Sequence, residues 1–340
     1  MINYKSNNEL LEALNGLVVG HISAKKALIN LVNRSKIRHY QKWIACEHRD
    51  FLIAPSKCLM VGDSGTGKTF LVECLQQLVD FPLLKIDATR LTITSAGDGI
   101  KSAEIYNMIY DNAKHYEEVN RKKGYTNSIE GLIDQTVVFI DEVDKLAWGA
   151  NGERDHWNKR TQANFLQIFE NYDELAGVSF IFAGAFANLE RSKTKGNSIG
   201  FCQDFDSISE NDILDELIVK YGLIPELVGR ITAIVELDTL TEDHYRAVLQ
   251  DILIPRKLEE LIYFNCVDFE LSNKDIDVLI KKAMKSGQGI RFLKRELDKL
   301  LLDIEFNYEN VTNHRLLLHN LIDNYDGTSP EDWDKEEINQ

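Results

Sequence analysis

Two stretches of the chain carry residue types at spacings that can do chemistry. Gly62-Asp63-Ser64-Gly65-Thr66-Gly67-Lys68-Thr69 has the form G-x-x-x-x-G-K-T. Glycines let a backbone curl until successive N–H groups point at phosphate oxygens, and a helix that follows adds the positive end of its dipole. In such a loop Lys68 bridges the outer phosphates and the Thr69 hydroxyl ligates magnesium. Gly62, Ser64, Gly65, Thr66, Gly67 and Phe70 complete the candidate cradle. The second stretch, Gln135-Thr136-Val137-Val138-Phe139-Ile140-Asp141-Glu142, is a β-branched run ending in two carboxylates. Asp141 is placed to hold the magnesium through water, and Glu142 to polarise an attacking water toward the γ-phosphate. Together they predict a nucleoside triphosphate site.

The surrounding residues have the pattern that positions such groups. Residues 58–61 read as a short buried strand, and residues 70–78 have apolar positions at helical spacing, which sets the loop between strand and helix. Residues 81–87, 135–142 and 178–184 read as further strands. A parallel strand buried on both faces is apolar throughout and delivers polar groups at its carboxyl end. Residues 7–42 read as helix, loop, helix, with Val19 and Gly20 in the loop. Residues 101–123 are helical, and 124–130 look like an exposed turn. Strands alternating with helices predict an α/β fold with a parallel sheet.

From Thr241 the texture changes: 255–263, 273–285 and 291–306 are helical, with few β-branched runs between. The expected organisation is a large ATPase-type domain over residues 1–238, a small, mainly helical lid domain over 239–325, and an acidic disordered tail over 326–340.

Bulk properties narrow the partners. A length of 340 residues allows two domains, and 44% hydrophobic with 27% charged residues is ordinary for a globular chain. A net charge of −15 argues against nucleic acid as the main partner, since a phosphate binder needs a basic face. The five cysteines, Cys46, Cys58, Cys74, Cys202 and Cys266, form no C-x-x-C pair, which predicts free thiols in a reducing compartment. No signal region or membrane-spanning run is evident, so the expectation is cytoplasmic with no membrane partner.

Taken together, the motifs resemble the AAA+ ATPases of the ClpX branch, protein unfoldases that feed ClpP. Leu17-Val18-Val19-Gly20 followed by Ala24-Lys25-Lys26 looks like the family's adenine-cupping segment. Residues 87–92 are similar to its strand entering the first pore loop, and Gly184-Ala185-Phe186 to the run after its third core strand. Tyr221-Gly222-Leu223-Ile224-Pro225-Glu226-Leu227-Val228-Gly229-Arg230 resembles its arginine-finger segment almost word for word. Residues 289–296, Gly-Ile-Arg-Phe-Leu-Lys-Arg-Glu, are similar to its sensor-2 helix. The likeness extends over about residues 9–308. It implies ATP and Mg2+ as cofactors and a homo-oligomeric ring, expected to be a hexamer. It also implies Arg230 as a finger reaching a neighbour's nucleotide, Arg291 touching nucleotide from its own chain, and a protein substrate. An arginine finger contributes on the order of a thousandfold in rate.

This chain departs from that pattern in places. With no C-x-x-C pair, the family's zinc-binding N-terminal domain is expected to be absent. The pore loop of the family carries an aromatic that grips polypeptide, whereas the corresponding run here is Thr94-Ser95-Ala96-Gly97. Residues 178–184 lack the Asn or Thr that many AAA+ proteins use as sensor 1. A retained feature is Ile199-Gly200-Phe201, placed where the family docks its ClpP-type peptidase; an exposed Ile–Phe pair is a small apolar anchor. Two readings therefore stay open. One is an ATP-hydrolysing ring that remodels or unfolds proteins and delivers them to a ClpP-type peptidase. The other is a nucleotide-switched binding protein that engages such a machine without threading substrate.

Overall fold

Continuous apolar runs decide the first sheet. Strands β1 (Lys57–Val61), β2 (Leu83–Asp87), β3 (Val137–Asp141), β4 (Ser179–Gly184) and β5 (Ala233–Glu236) form a five-stranded sheet in the order β2-β3-β4-β1-β5. Every neighbouring pair is parallel, with Met60 opposite Ala183 and Val235, and Ile140 opposite Ile86 and Phe182. In β1, β3 and β4 nearly every residue is buried, as a parallel sheet covered on both faces requires. The edge strands are less apolar: β2 mixes buried with exposed positions, and β5 is half-buried. This is the α/β architecture with a parallel sheet that the strand runs predicted.

The computed structural model describes residues 6–91, 102–125, 128–147, 153–171, 175–187, 189, 210–261, 263, 266–306, 314–318 and 335–336. The described residues divide into two units: those within 1–14, 21–63 and 68–237 form the first, and those within 15–20, 64–67 and 238–340 the second. Among the described residues no helix is long and apolar enough to cross a membrane.

Helices α1 (Asn7–Leu17), α2 (Ile22–Trp43), α3 (Lys68–Val79), α4 (Ser102–Lys122), α5 (Ile129–Gln135) and α6 (Glu153–Asn171) are interleaved with the strands. On one side, Leu59, Val61, Ile140 and Phe182 pack with Ile105, Ile109 and Ala113 of α4 and with Phe165 and Ile168 of α6. Each of the larger side chains, fully buried, contributes about 1.5–3 kcal/mol. The stretch 124–130 is not wholly a turn: the Ser128 hydroxyl accepts from Gly131 N at 3.0 Å and starts α5. A serine N-cap satisfies one of the donors a helix start leaves open, and that local signal outweighs the polar composition around it.

The second unit has its own core. Thr241 opens the helix Glu242–Ala247 with a capping box closed by His244: Thr241 Oγ1 accepts from His244 N at 3.4 Å, and His244 Nδ1 accepts from Thr241 N at 3.3 Å. The helix continues through a π-helical turn, Val248–Leu253, into Ile254–Leu261. Helices Asn273–Ser286 and Ile290–Phe306 pack on it through Leu249, Ile276, Leu279, Ile280 and Leu293. Lys257 ties the ends together, its ammonium lying 2.8–3.1 Å from Glu260, Asp298 and Glu305.

This unit also carries β6 (Cys266–Leu271), parallel to β7 (His314–Leu318), which pairs antiparallel with β8 (Lys335–Glu336). The alternation Val267-Asp268-Phe269-Glu270-Leu271 has the two-residue period of a strand. Of the stretch 326–340, the described residues are Lys335 and Glu336; the rest lies outside the described residues.

Candidate functional site

The first unit holds one half of the phosphate-loop region. β1 ends at Val61, and Gly62 N donates to Gly184 O at 3.3 Å, fixing the loop's start against the end of β4. Lys68, in the first turn of α3, is buried, and its ammonium donates to Gly62 O at 2.6 Å and Asp63 O at 2.9 Å. Thr69 Oγ1 donates to Asp141 Oδ2 at 2.7 Å. Phe70 is half-buried beside it. Asp141 lies at the carboxyl end of β3, in register with Asp87 of β2.

Glu142 follows with φ +57, a left-handed backbone that few non-glycine residues adopt. Its N–H donates to Asp141 Oδ1 at 2.9 Å, and the residue itself is exposed. A kink of this kind costs about 1–3 kcal/mol and persists where neighbours over-determine it. The neighbours here are the 3-10 turn Val143–Leu146 and the groups that hold it. Asp144 is buried, and its Oδ1 accepts from Ala185 N at 3.1 Å. From α6, Asn158 Nδ2 donates to Lys145 O and Ala147 O, both at 3.2 Å. Burial, with the Asp144 charge adding to it, pushes the Tyr221 hydroxyl pKa up.

The second unit holds residues 64–67. Gly65 has φ +79, and a side chain there would run into the Gln288 carbonyl. Gly289, at φ +60, packs as closely on Gly65, and Ile290 N donates to Gly65 O at 3.2 Å. Arg291 Nη1 lies 3.5 Å from Ser64 Oγ. Thr66 is buried; Gly67 has φ +94, and nothing lies within 4 Å of the place its side chain would take. Val19 and Gly20 are half-buried in the same unit; a side chain on Gly20, at φ +72, would meet Asp238 Oδ2 at 3.5 Å.

Arg230 sits elsewhere in the first unit. It is exposed, two residues before Thr232, whose N–H donates to Lys57 O at 2.7 Å and whose hydroxyl accepts from Lys57 N at 2.9 Å. Lys57 begins β1 and Val61 ends it. Four strand steps at about 3.3 Å therefore put Arg230 roughly 13 Å away along the sheet from the phosphate-loop end. That exceeds the length of an arginine side chain. The Lys57 ammonium pKa is lowered by burial and, secondarily, by the Arg230 charge.

The donor set can be tested against a magnesium nucleotide. Within the first unit, an ammonium in the first helical turn and a hydroxyl paired with a carboxylate supply one cation and two hard oxygen ligands. A phosphate suits the cation and magnesium the oxygens. Within the second unit, Gly65 and Gly67 have the positive φ of a loop that curls its N–H groups toward a phosphate. The residues of each unit fit.

Thr94, Ser95, Ala96 and Gly97, and Ile199, Gly200 and Phe201, lie outside the described residues. Tyr106 is half-buried against the main core, whereas Tyr110 on the same helix is exposed. Sequence reasoning missed Gln162, whose amide is buried at 0% exposure between the turn after Glu142 and the segment before Arg230. Its signal was available: with Phe165 and Ile168 it occupies the buried stripe of α6, where a polar side chain must find partners.

Comparison with known proteins agrees with this geometry. Residues 58–215 match the model of the family described as ATPase family associated with various cellular activities (AAA). The chain is also 26% identical over 342 residues to the ATP-dependent Clp protease ATP-binding subunit ClpX of Treponema denticola, a match covering 92% of this chain and 79% of that protein. In strand order, phosphate loop and family match together, this chain is similar to the ClpX-like AAA+ ATPases.

Proposed function

We propose that the chain is one subunit of an ATP-hydrolysing ring, expected to be a hexamer, that remodels or unfolds protein substrates. The observation that carries the reading is the position of Arg230, at the opposite end of the sheet from Lys68 and Thr69. A finger so placed serves a neighbour's nucleotide and not its own. In this reading residues 1–238 are the ATPase domain and 239–325 the lid.

Each residue then has a defined task. The loop N–H groups of Gly62–Thr69 and the Lys68 ammonium bind the phosphates, and Val19 and Gly20 border the adenine. Magnesium, held by Thr69 and Asp141, would neutralise charge on the outer phosphates. Glu142, turned outward by its left-handed backbone, takes the proton of the attacking water. Arg291 contacts the nucleotide from the same chain.

Mixing variants tests this. Glu142→Gln keeps its finger but loses its base; Arg230→Ala keeps its base but loses its finger. Each alone should be inactive, and an equimolar mixture should regain ATPase activity, because an intact finger then faces an intact base in some interfaces. No recovery in the mixture overturns the reading.

Transfer of substrates to a ClpP-type peptidase is supported by the relative's name and by the Ile199-Gly200-Phe201 tripeptide. The binding-only alternative draws on Thr94-Ser95-Ala96-Gly97, which has no aromatic to grip a polypeptide. ATP-dependent loss of a stably folded, tagged protein in the presence of purified peptidase would decide for threading; persistence of that protein, with peptidase bound, would decide for the alternative.

A further inference from the structure

Gln162 joins two segments that the proposed mechanism needs in different subunits' reactions. Its Nε2 donates to Leu146 O at 2.6 Å, in the turn that follows Glu142, and to Gly222 O at 3.1 Å. Its Oε1 accepts from Ile224 N at 2.7 Å. Gly222 and Ile224 lead directly into the short helix Pro225–Val228 and then Arg230. One fully buried amide thus binds both the segment behind the catalytic carboxylate and the root of the finger.

The neighbourhood makes the link stiff. Ile224 is buried, so its N–H depends on the Gln162 oxygen. Phe186, which follows the β4 end that Asp144 binds, packs edge-to-face on Tyr221 with ring centroids 5.1 Å apart. The two segments are not held equally, however. Asn158, one helical turn earlier, binds the turn after Glu142 independently. The Ile224 N–H donates to Gln162.

We infer that Gln162 is a positioning residue for catalysis across the subunit boundary: it registers the finger segment 222–230 against the end of the sheet that carries its own Glu142. The arginine a chain offers its neighbour is thereby set by the state of that chain's own nucleotide end. The inference rests on the reading of Arg230 as a finger acting in trans.

The test uses the same mixture, adding Gln162→Met, which keeps the volume and removes the three bonds. Placed in the Glu142→Gln subunit, which supplies the finger, it should cut the recovered ATPase rate about tenfold. Placed in the Arg230→Ala subunit, which supplies the base, it should leave that rate within about twofold. A purely structural role would lower both arrangements equally, and that result overturns the inference. Failure of the parent mixture to recover would instead overturn the trans reading itself, and this inference with it.

Should Gln162→Met not fold, amide exchange in the unmodified chain decides. The Ile224 N–H is expected to exchange more slowly when a slowly hydrolysed ATP analogue is added; an unchanged rate overturns the inference.

Discussion

Thr69 Oγ1 donates to Asp141 Oδ2 across 2.7 Å, although their elements are separated in the sheet by β4. The hydroxyl comes from the first turn of the helix after β1, and the carboxylate from the end of β3. Parallel strands all end on the same side, so an apolar run of similar length in each strand brings its trailing polar residue to one face.

This bond gives a prediction for metal-dependent binding. Thr69→Val keeps the shape and removes the hydroxyl. Nucleotide affinity in the presence of magnesium should fall by about tenfold, the scale of one hydrogen bond to a charged group. Affinity in excess chelator should stay unchanged. A titration with a fluorescent nucleotide under both conditions measures the difference.

Glu142→Gln should bind ATP with wild-type affinity and lose hydrolysis by on the order of a hundredfold or more. The substitution preserves size and leaves the Glu142 N–H to Asp141 bond intact, since that bond is made by the backbone. Phosphate release in a single turnover, beside equilibrium binding, separates the two effects.

Gly65→Ala tests the loop itself. A methyl group there faces both a left-handed backbone and the Gln288 carbonyl. The strain is about 1–3 kcal/mol, and relief requires the contact with Gln288 and Gly289 to open. A lowered melting temperature together with weaker nucleotide binding is expected. Gly67→Ala, with open space at the same point, should show the backbone strain alone.

His39 should make stability fall on the acid side of neutrality. It lies on α2, close to Gly131 of α5, and burial lowers its pKa below the ordinary 6.5. The Asp134 charge opposes that shift and the Lys42 charge adds to it. Well above pH 6.5 the ring is neutral in folded and unfolded chains alike. As pH drops through that value the unfolded chain takes up a proton first, so stability declines until the folded ring protonates as well. Denaturant melts between pH 7 and pH 5 should show a smaller decline for His39→Gln than for the wild type.

How much of this was legible beforehand varies by residue. The strands were plain because 58–61, 135–142 and 178–184 are apolar runs that no amphipathic helix would contain. Gly62 to Thr69 and Asp141-Glu142 were legible because their spacing is local and the chemistry fixes their types. β5 was not, since Ala233-Ile234-Val235-Glu236 is short and half-buried at an edge. The small sheet was hidden by distance: β6 has a two-residue period of its own, but among the described residues two helices separate it from β7, and nothing local shows that the two pair. Gln162 was missed for a related reason. Its partners at Leu146, Gly222 and Ile224 are 16 to 62 positions away, so only the folded chain brings the three together.

The displacement of Arg230 from its own phosphate loop also sets an arithmetic of completeness. On the proposed arrangement an isolated chain owns every part of a site except the last, and therefore has no complete site at all. A closed ring has as many complete sites as chains, and a ring opened at one seam has one fewer. Dilution alone would then silence the enzyme without unfolding a residue, and a partner that pries the ring apart would act as an inhibitor at the seam first.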